Sequence, residues 1–261
     1  MGLQKRINET TVNPGQIALF YIAQAGFCIK TASGKNIFID LYLSDACERL
    51  FGFKRMIPSP MSAQEVEAGL YLITHHHADH FDPDAMPIIV KHPTTFFAVA
   101  PDCVSLLEEI AVSPSRYKVL REGETWQWED VRIKAIYADH GELAPDAQGY
   151  LIEVDGLKIY HVGDSAYRPE EIKASLGTDV DIMIVPINGT YGNMIASEAC
   201  KLAAEIKPRL VIPCHFWMFL EHVVPDGKGD PATFLTEGSK LPSAIKTKVM
   251  APGECIIYPG T

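Results

Sequence analysis

Apolar residues in this chain gather into short runs separated by turn residues, and the first forty positions establish the pattern. QIALFYI, GFCIKTA and NIFID are rich in β-branched and aromatic residues, with Gly26 and Ser33-Gly34 between them. Such runs predict a meander of three strands ending at Asp40. Residues 41–62 hold no period, and Pro58-Ser59-Pro60 keeps them out of a helix, so a loop is expected there. LYLIT (70–74) and FFAVA read as buried strands, and Asp102 is placed to cap a helix over VSLLEEIAV. Strands follow at YKVL, at VRIKAIYA before Asp139-His140, and at YLIEVDGLKIYHV, a hairpin turning at Asp155-Gly156. A helix is predicted over 169–176, a strand at DIMIVPI, a helix over 198–206 ended by Pro208, and a strand at RLVIPC. The tail predicts a helix near 232–239 and strands at KVMAP and CIIYP.

Strands in groups with helices between them pack most economically as two face-to-face sheets with helices outside. The expected fold is therefore α/β, a four-layer αββα sandwich, forming a single domain over residues 1–261 with core enough to fold unaided. Twice an apolar strand delivers a polar cluster at its C-terminal end, after Thr74 and after Val162, and ligands favour such strand ends.

Composition narrows the function classes. With 47% hydrophobic residues, and 19 Gly and 18 Pro scattered through the chain, disorder and low complexity are excluded. Lys and Arg total 23 against 33 Asp and Glu, a net charge of −10, and no basic run stands out, so nucleic acid is not an expected partner. No run approaches the roughly 20 apolar residues of a membrane span, and MGLQKRINETTVNPG lacks the apolar segment of a secretory signal. Cys28, Cys47, Cys103, Cys200, Cys214 and Cys255 form no CxxC pair, which fits buried reduced thiols and a cytoplasmic protein. The Phe216-Trp217-Met218-Phe219-Leu220 run reads as core or as a contact surface, leaving a homo-oligomer open.

The chemistry concentrates in His75-His76-His77-Ala78-Asp79-His80. Imidazole and carboxylate are the ligands that borderline divalent metals accept. In an extended loop, positions i and i+2 share a side, so His75 and His77 can meet one ion while His76 points away. Asp79 and His80, at the following turn, can face a second ion. Asp139-His140, His161-Val162-Gly163-Asp164 and Pro213-Cys214-His215 stand at other strand ends. With His140, Asp164 and His215 from these clusters, His75, His77 and His140 would hold a first metal. Asp79, His80 and His215 would hold a second. Asp164 would bridge, because a carboxylate offers two oxygens where an imidazole offers one lone pair. His161 reads as strand packing, His92 and His222 as surface or loop residues, and Cys214 as a buried thiol.

THHHADH, followed in order by His140, Asp164 and His215, resembles the metallo-β-lactamase superfamily and its H-x-H-x-D-H signature. The resemblance implies the αββα sandwich and a dinuclear hydrolytic site at one edge of the sheets, with zinc, manganese or iron. Asp40, closing the third strand, could cap a turn; the resemblance implies instead that it receives the free N–H of a ligand histidine. Gln24 to Phe27, Asp40-x-Tyr42-x-Ser44, Asp79-His80-Phe81-Asp82 and Pro186-Ile187-Asn188-Gly189 are similar to the ascorbate-6-phosphate lactonase group.

The expected activity is that of a metal-dependent hydrolase acting on a small anionic molecule such as a sugar-phosphate lactone. Its nucleophile would be hydroxide from a water activated between two zinc or manganese ions, with Asp79 aiming it and Asp164 joining the ions. Asn188, Tyr191 and Trp217 are candidates to touch substrate, and Asn193 lies among them. The alternatives are a phosphodiesterase, an N-acyl phospholipid-type hydrolase, a metal-binding relative without turnover, and a redox di-iron protein.

Overall fold

The computed structural model describes residues 2–223 and 226–260. Its strands run in chain order β1 (Ile17–Ala23), β2 (Gly26–Thr31), β3 (Asn36–Ile39), β4 (Leu70–Ile73), β5 (Phe96–Val99) and β6 (Tyr117–Val119). They continue as β7 (Thr125–Trp128), β8 (Val131–Tyr137), β9 (Gln148–Val154), β10 (Leu157–His161), β11 (Ile182–Pro186), β12 (Leu210–Cys214), β13 (Lys246–Thr247) and β14 (Cys255–Tyr258). They make two seven-stranded sheets, β14-β1-β2-β3-β4-β5-β6 and β13-β12-β11-β10-β9-β8-β7. In each sheet, three antiparallel pairings give way to three parallel ones. The two sheets thus repeat one pattern, which accounts for the echo of polar clusters at strand ends.

Alternation along β1 shows how the layers form. Ile17, Leu19 and Tyr21 join the core shared with the second sheet. Ala18, Phe20 and Ile22 face the other way, into a core with α1 (Leu3–Glu9), α3 (Met86–Ile89) and α4 (Val104–Glu109). Burial on both faces is why such strands read as unbroken apolar runs. On the far face of the second sheet, α5 (Pro169–Leu176) packs on β8 and α6 (Ala196–Ile206) on β11, with α7 (Pro231–Gly238) against α6. The result is the αββα sandwich.

Several elements differ from the expectation. α1 is a missed helix of seven residues, too short to show a period, anchored by buried Leu3 and Ile7. The 41–62 loop contains α2 (Ala46–Phe51), which buries Ala46 and Cys47 and stops at Gly52 with φ +80°. The edge strand β7 was also missed, although Trp126 and Trp128 pack inward at every second position. KVMAP is not a strand: after Lys248 N–H donates to Val211 O, the chain turns through Pro252, and pairing is confined to Lys246–Thr247. Asp102 does not cap α4 but sits in a turn of 3₁₀ helix, Pro101–Cys103, where it binds His76. Among the described residues, no helix is long and apolar enough to cross a membrane.

Candidate metal centre

The chain carries its chemistry at the C-terminal ends of strands. β4 leads through Thr74 into His75–His80, β8 into His140, β10 into Asp164 and β12 into His215. Gly163, at φ +69°, makes the turn before Asp164 where a Cβ would lie 2.7 Å from Gln148 O; only glycine fits. Nine other residues among those described have positive φ without being glycine, and Gln24, Asp40, Tyr191, His215 and Trp217 are five of them. Asp40, His215 and Gln24 are buried in the polar cluster, and Tyr191 and Trp217 border the cavities beside it. Left-handed backbone costs about 1–3 kcal/mol per residue and collects where function over-determines the conformation.

The seven predicted residues converge. Ligand atoms of His75, His77 and His140 lie within 4.8 Å of one another, as do those of Asp79, His80 and His215 and those of His75, His80 and Asp164. Asp164 touches both sets: Oδ1 is 3.4 Å from His80 Nε2, and Oδ2 is 3.3 Å from His215 Nε2 and 3.7 Å from His140 Nε2. His215 Nε2 is also 3.2 Å from Asp79 Oδ2. His76 turns away, as expected, to Asp102 at 2.7 Å.

Hydrogen bonds behind the cluster set which nitrogen faces it. Asp40 accepts from Thr74 N–H at 2.9 Å, from Thr74 Oγ1 at 2.6 Å and from His80 Nδ1 at 2.8 Å. The last contact leaves His80 with a bare Nε2 toward the cluster. Because the Thr74 hydroxyl proton goes to Asp40, its oxygen accepts from His75 Nδ1 at 3.0 Å, which bares Nε2 of His75 as well. His77 donates from Nε2 to Leu143 O at 3.3 Å and turns Nδ1 to His140 Nε2, 3.2 Å away. Among the described residues, Nε2 of His75 and of His80 and Oδ1 of Asp164 are buried without a hydrogen-bond partner.

Lone pairs this close repel unless a positive charge lies between them, and burial sharpens the demand. Burial holds His75, His77 and His140 below the ordinary imidazole value. Burial opposes charge on His80 and His215 too, but Asp164 and its fellow carboxylates outweigh it, holding His80 well above the ordinary value and raising His215 to about 9. Burial would likewise raise Asp79 and Asp164, yet the neighbouring His80 and His215 keep both below the usual carboxylate range. The donor set, the bare nitrogens and the need for positive charge all fit divalent cations.

Comparison with known proteins decides the family. The profile described as "Beta-lactamase superfamily domain" matches residues 18–215. The chain belongs to the metallo-β-lactamase superfamily. It is 29% identical to a UPF0173 metal-dependent hydrolase of Polynucleobacter asymbioticus, over 94% of this chain and 87% of that one. With a UPF0173 metal-dependent hydrolase of Thermococcus onnurineus it shares 30% identity, over 82% and 97%. A relative from Salmonella heidelberg, named L-ascorbate-6-phosphate lactonase UlaG, is 23% identical over 82% and 73%. Among solved structures, the metallo hydrolase Igni18 of Ignicoccus hospitalis superposes with a TM-score of 0.68, at 21% identity over 94% of this chain and 100% of that one. The chain is a metal-dependent hydrolase.

Within that superfamily fold, two adjoining cavities open beside the cluster. The larger, about 260 Å³, has His77, Asp79, His140, Asp164 and His215 in its lining. Tyr191 and Asn188 border it, whereas Trp217 borders only the smaller one of about 30 Å³. Among the described residues, neither cavity is lined by Lys or Arg, so an anionic sugar phosphate would meet no ammonium or guanidinium group. Asn193 is committed elsewhere, donating to Asp164 Oδ2 at 2.7 Å. His161 is structural as expected, with Nε2 on Ala25 O at 2.9 Å. Cys214 is buried, and burial pushes its thiol up, away from reactivity.

Two residues escaped the sequence reading. Gln24 donates to Asp79 Oδ2 at 2.7 Å and its backbone carbonyl accepts from His215 N–H at 2.8 Å. Its place in Gln-Ala-Gly-Phe was the one signal available. His222, expected as a surface or loop residue, lines both cavities, and burial lowers its imidazole below the ordinary value.

Proposed function

We propose that His75, His77 and His140 hold one divalent cation and Asp79, His80 and His215 a second, with Asp164 reaching both, and that the pair serves hydrolysis of a small molecule. Zinc and manganese suit this donor set, and iron is admitted by it. The observation that carries the reading is the convergence of imidazole nitrogens on two carboxylates, buried Asp164 and half-buried Asp79, each oriented from behind. Cations bound there would supply Lewis acidity, stabilising a developing oxyanion and lowering the pKa of an attacking water toward about 7.

The chain's own residues prepare that chemistry. Asp40, directly and through Thr74, holds His80 and His75 with Nε2 inward. Gln24 holds Asp79 and Asn193 holds Asp164, so neither carboxylate is free to rotate. In the net reaction the water oxygen joins the acyl carbon, the bond from that carbon to the leaving oxygen breaks, and the leaving oxygen takes a proton. No nucleophilic side chain is needed. The same reading takes residues 1–261 as one catalytic domain acting in the cytoplasm.

The test is elemental analysis of purified protein followed by a panel of lactones, esters and phosphodiesters. Two divalent cations per chain and turnover of at least one class are expected. One or no cation per chain, or silence across the panel in protein carrying both, would reject the proposal.

A further inference from the structure

The wall of the larger cavity is apolar where the floor is polar. Phe51, Phe53, Leu143, Tyr191 and Phe219 line it, and Phe51, Leu143 and Tyr191 are 58%, 58% and 53% exposed. Large apolar side chains left in water beside a polar centre mark a surface that awaits an apolar group. The space, about 260 Å³, exceeds the roughly 150 Å³ that accommodates a benzene ring. His222 is set into this wall, its ring centroid 4.5 Å from Phe53, 5.0 Å from Tyr191 and 5.1 Å from Phe219. Both its ring nitrogens are buried, and among the described residues neither has a hydrogen-bond partner. A buried imidazole with a donor and an acceptor both idle is costly unless something polar arrives to meet it. The charged groups of the two linings are carboxylates, Asp79, Asp164 and Asp230, apart from the histidines.

We propose that this cavity takes uncharged carbonyl compounds with an aromatic or compact alkyl body, packed among Phe53, Tyr191 and Phe219 and positioned by a hydrogen bond to His222. The proposal rests on the hydrolase reading for what happens to the carbonyl group, but not for what the wall binds. It selects against substrates that carry a phosphate remote from the bond to be cut, because such a group would face apolar rings with no cationic side chain.

The test uses the metal-loaded full chain with two independent readouts. In the first, kcat/KM is compared for dihydrocoumarin, a neutral aryl lactone, and for an aldonolactone 6-phosphate. At least a hundredfold preference for the neutral compound is expected, and preference for the phosphate overturns the proposal. In the second, benzamide binding is followed by NMR titration, needing no turnover. His222→Phe, which keeps an aromatic ring but loses the hydrogen bond, should weaken benzamide about tenfold, and His222→Gln should recover most of that loss. Native affinity in His222→Phe overturns the role of His222. Tyr191→Ala, at an exposed position, is the second variant should His222→Phe fold poorly; unchanged benzamide affinity there overturns the packing role of the wall. If benzamide binds with the expected His222 dependence while every lactone and ester is inert, the binding proposal is supported and the hydrolase reading falls alone.

Discussion

On the floor of the cavity, Asp40, Thr74, Gln24 and Asn193 each hold a candidate ligand from behind, mostly out of reach of solvent. On the wall, Tyr191 and Leu143 are more than half exposed, and both nitrogens of His222 are without a hydrogen-bond partner among the described residues. The floor is over-determined, so removing one member leaves buried partners without compensation. The wall is held by side-chain packing on loops, where a change alters fit more than fold. On these proposals, reaction and selectivity are assigned to two regions with different tolerance to substitution.

The largest effect that would break this contrast is at the residue shared by both ligand sets. Asp164→Ala should lower kcat/KM by at least about a thousandfold and reduce bound metal, while circular dichroism still reports the native fold. Near-native activity in that variant would remove Asp164 from the reacting centre.

Proton competition gives the next largest effect. His215 is raised from 6.5 to about 9, so the metal-free folded chain holds a proton there that the unfolded chain releases. That contribution to stability is complete below pH 6.5 and is lost as pH rises through about 9. A cation needs the same nitrogen bare, so apparent metal affinity should rise between pH 7 and 9, by about ninefold in the first unit, about fivefold in the second and about fiftyfold in all. Metal-free protein should melt at lower temperature across the same window. Competitive chelator titrations at pH 7, 8 and 9 measure the first effect, and a flat profile would remove His215 from the cation site.

Asp40→Asn probes the support beneath the floor. Asp40 accepts three hydrogen bonds on two oxygens, and an amide would turn one NH₂ toward a donor. Loss of 10–100-fold in metal affinity and about 1–3 kcal/mol of stability is expected, read by metal titration and denaturant unfolding.

How much of this was legible in the sequence follows the same division. His75, His77, Asp79 and His80 share one short loop, where alternation alone assigns sides. His140, Asp164 and His215 stand at strand ends whose meeting depends on sheet order, and it was the resemblance to a known signature that made their joint role readable. The long apolar strands were legible because both faces are buried. α1 and α2, at seven and six residues, were too short to display a helical period. Asp102 looked like a cap because it precedes a helix, but His76 is its partner. Gln24 carried only its place in Gln-Ala-Gly-Phe and His222 no local signature, since their neighbours come from distant segments: Asp79 for Gln24, and Phe53 and Tyr191 for His222. An apolar wall assembled from loops has no period to read.

The smallest effect sharpens the contrast from the other side. Tyr191 is 53% exposed and touches the floor through no hydrogen bond in this structure, packing instead on Phe53 and His222 at 6.3 and 5.0 Å between ring centroids. Its φ of +51° is equally unfavourable for alanine, so Tyr191→Ala leaves the backbone cost in place. Stability should change by no more than about 0.5 kcal/mol. With the floor intact, kcat should hold, while KM for an aryl substrate rises about three- to tenfold through lost packing that ground and transition states share. A fall in kcat with KM unchanged would mean that the wall takes part in the transition state, and the division between reaction and selectivity would no longer hold.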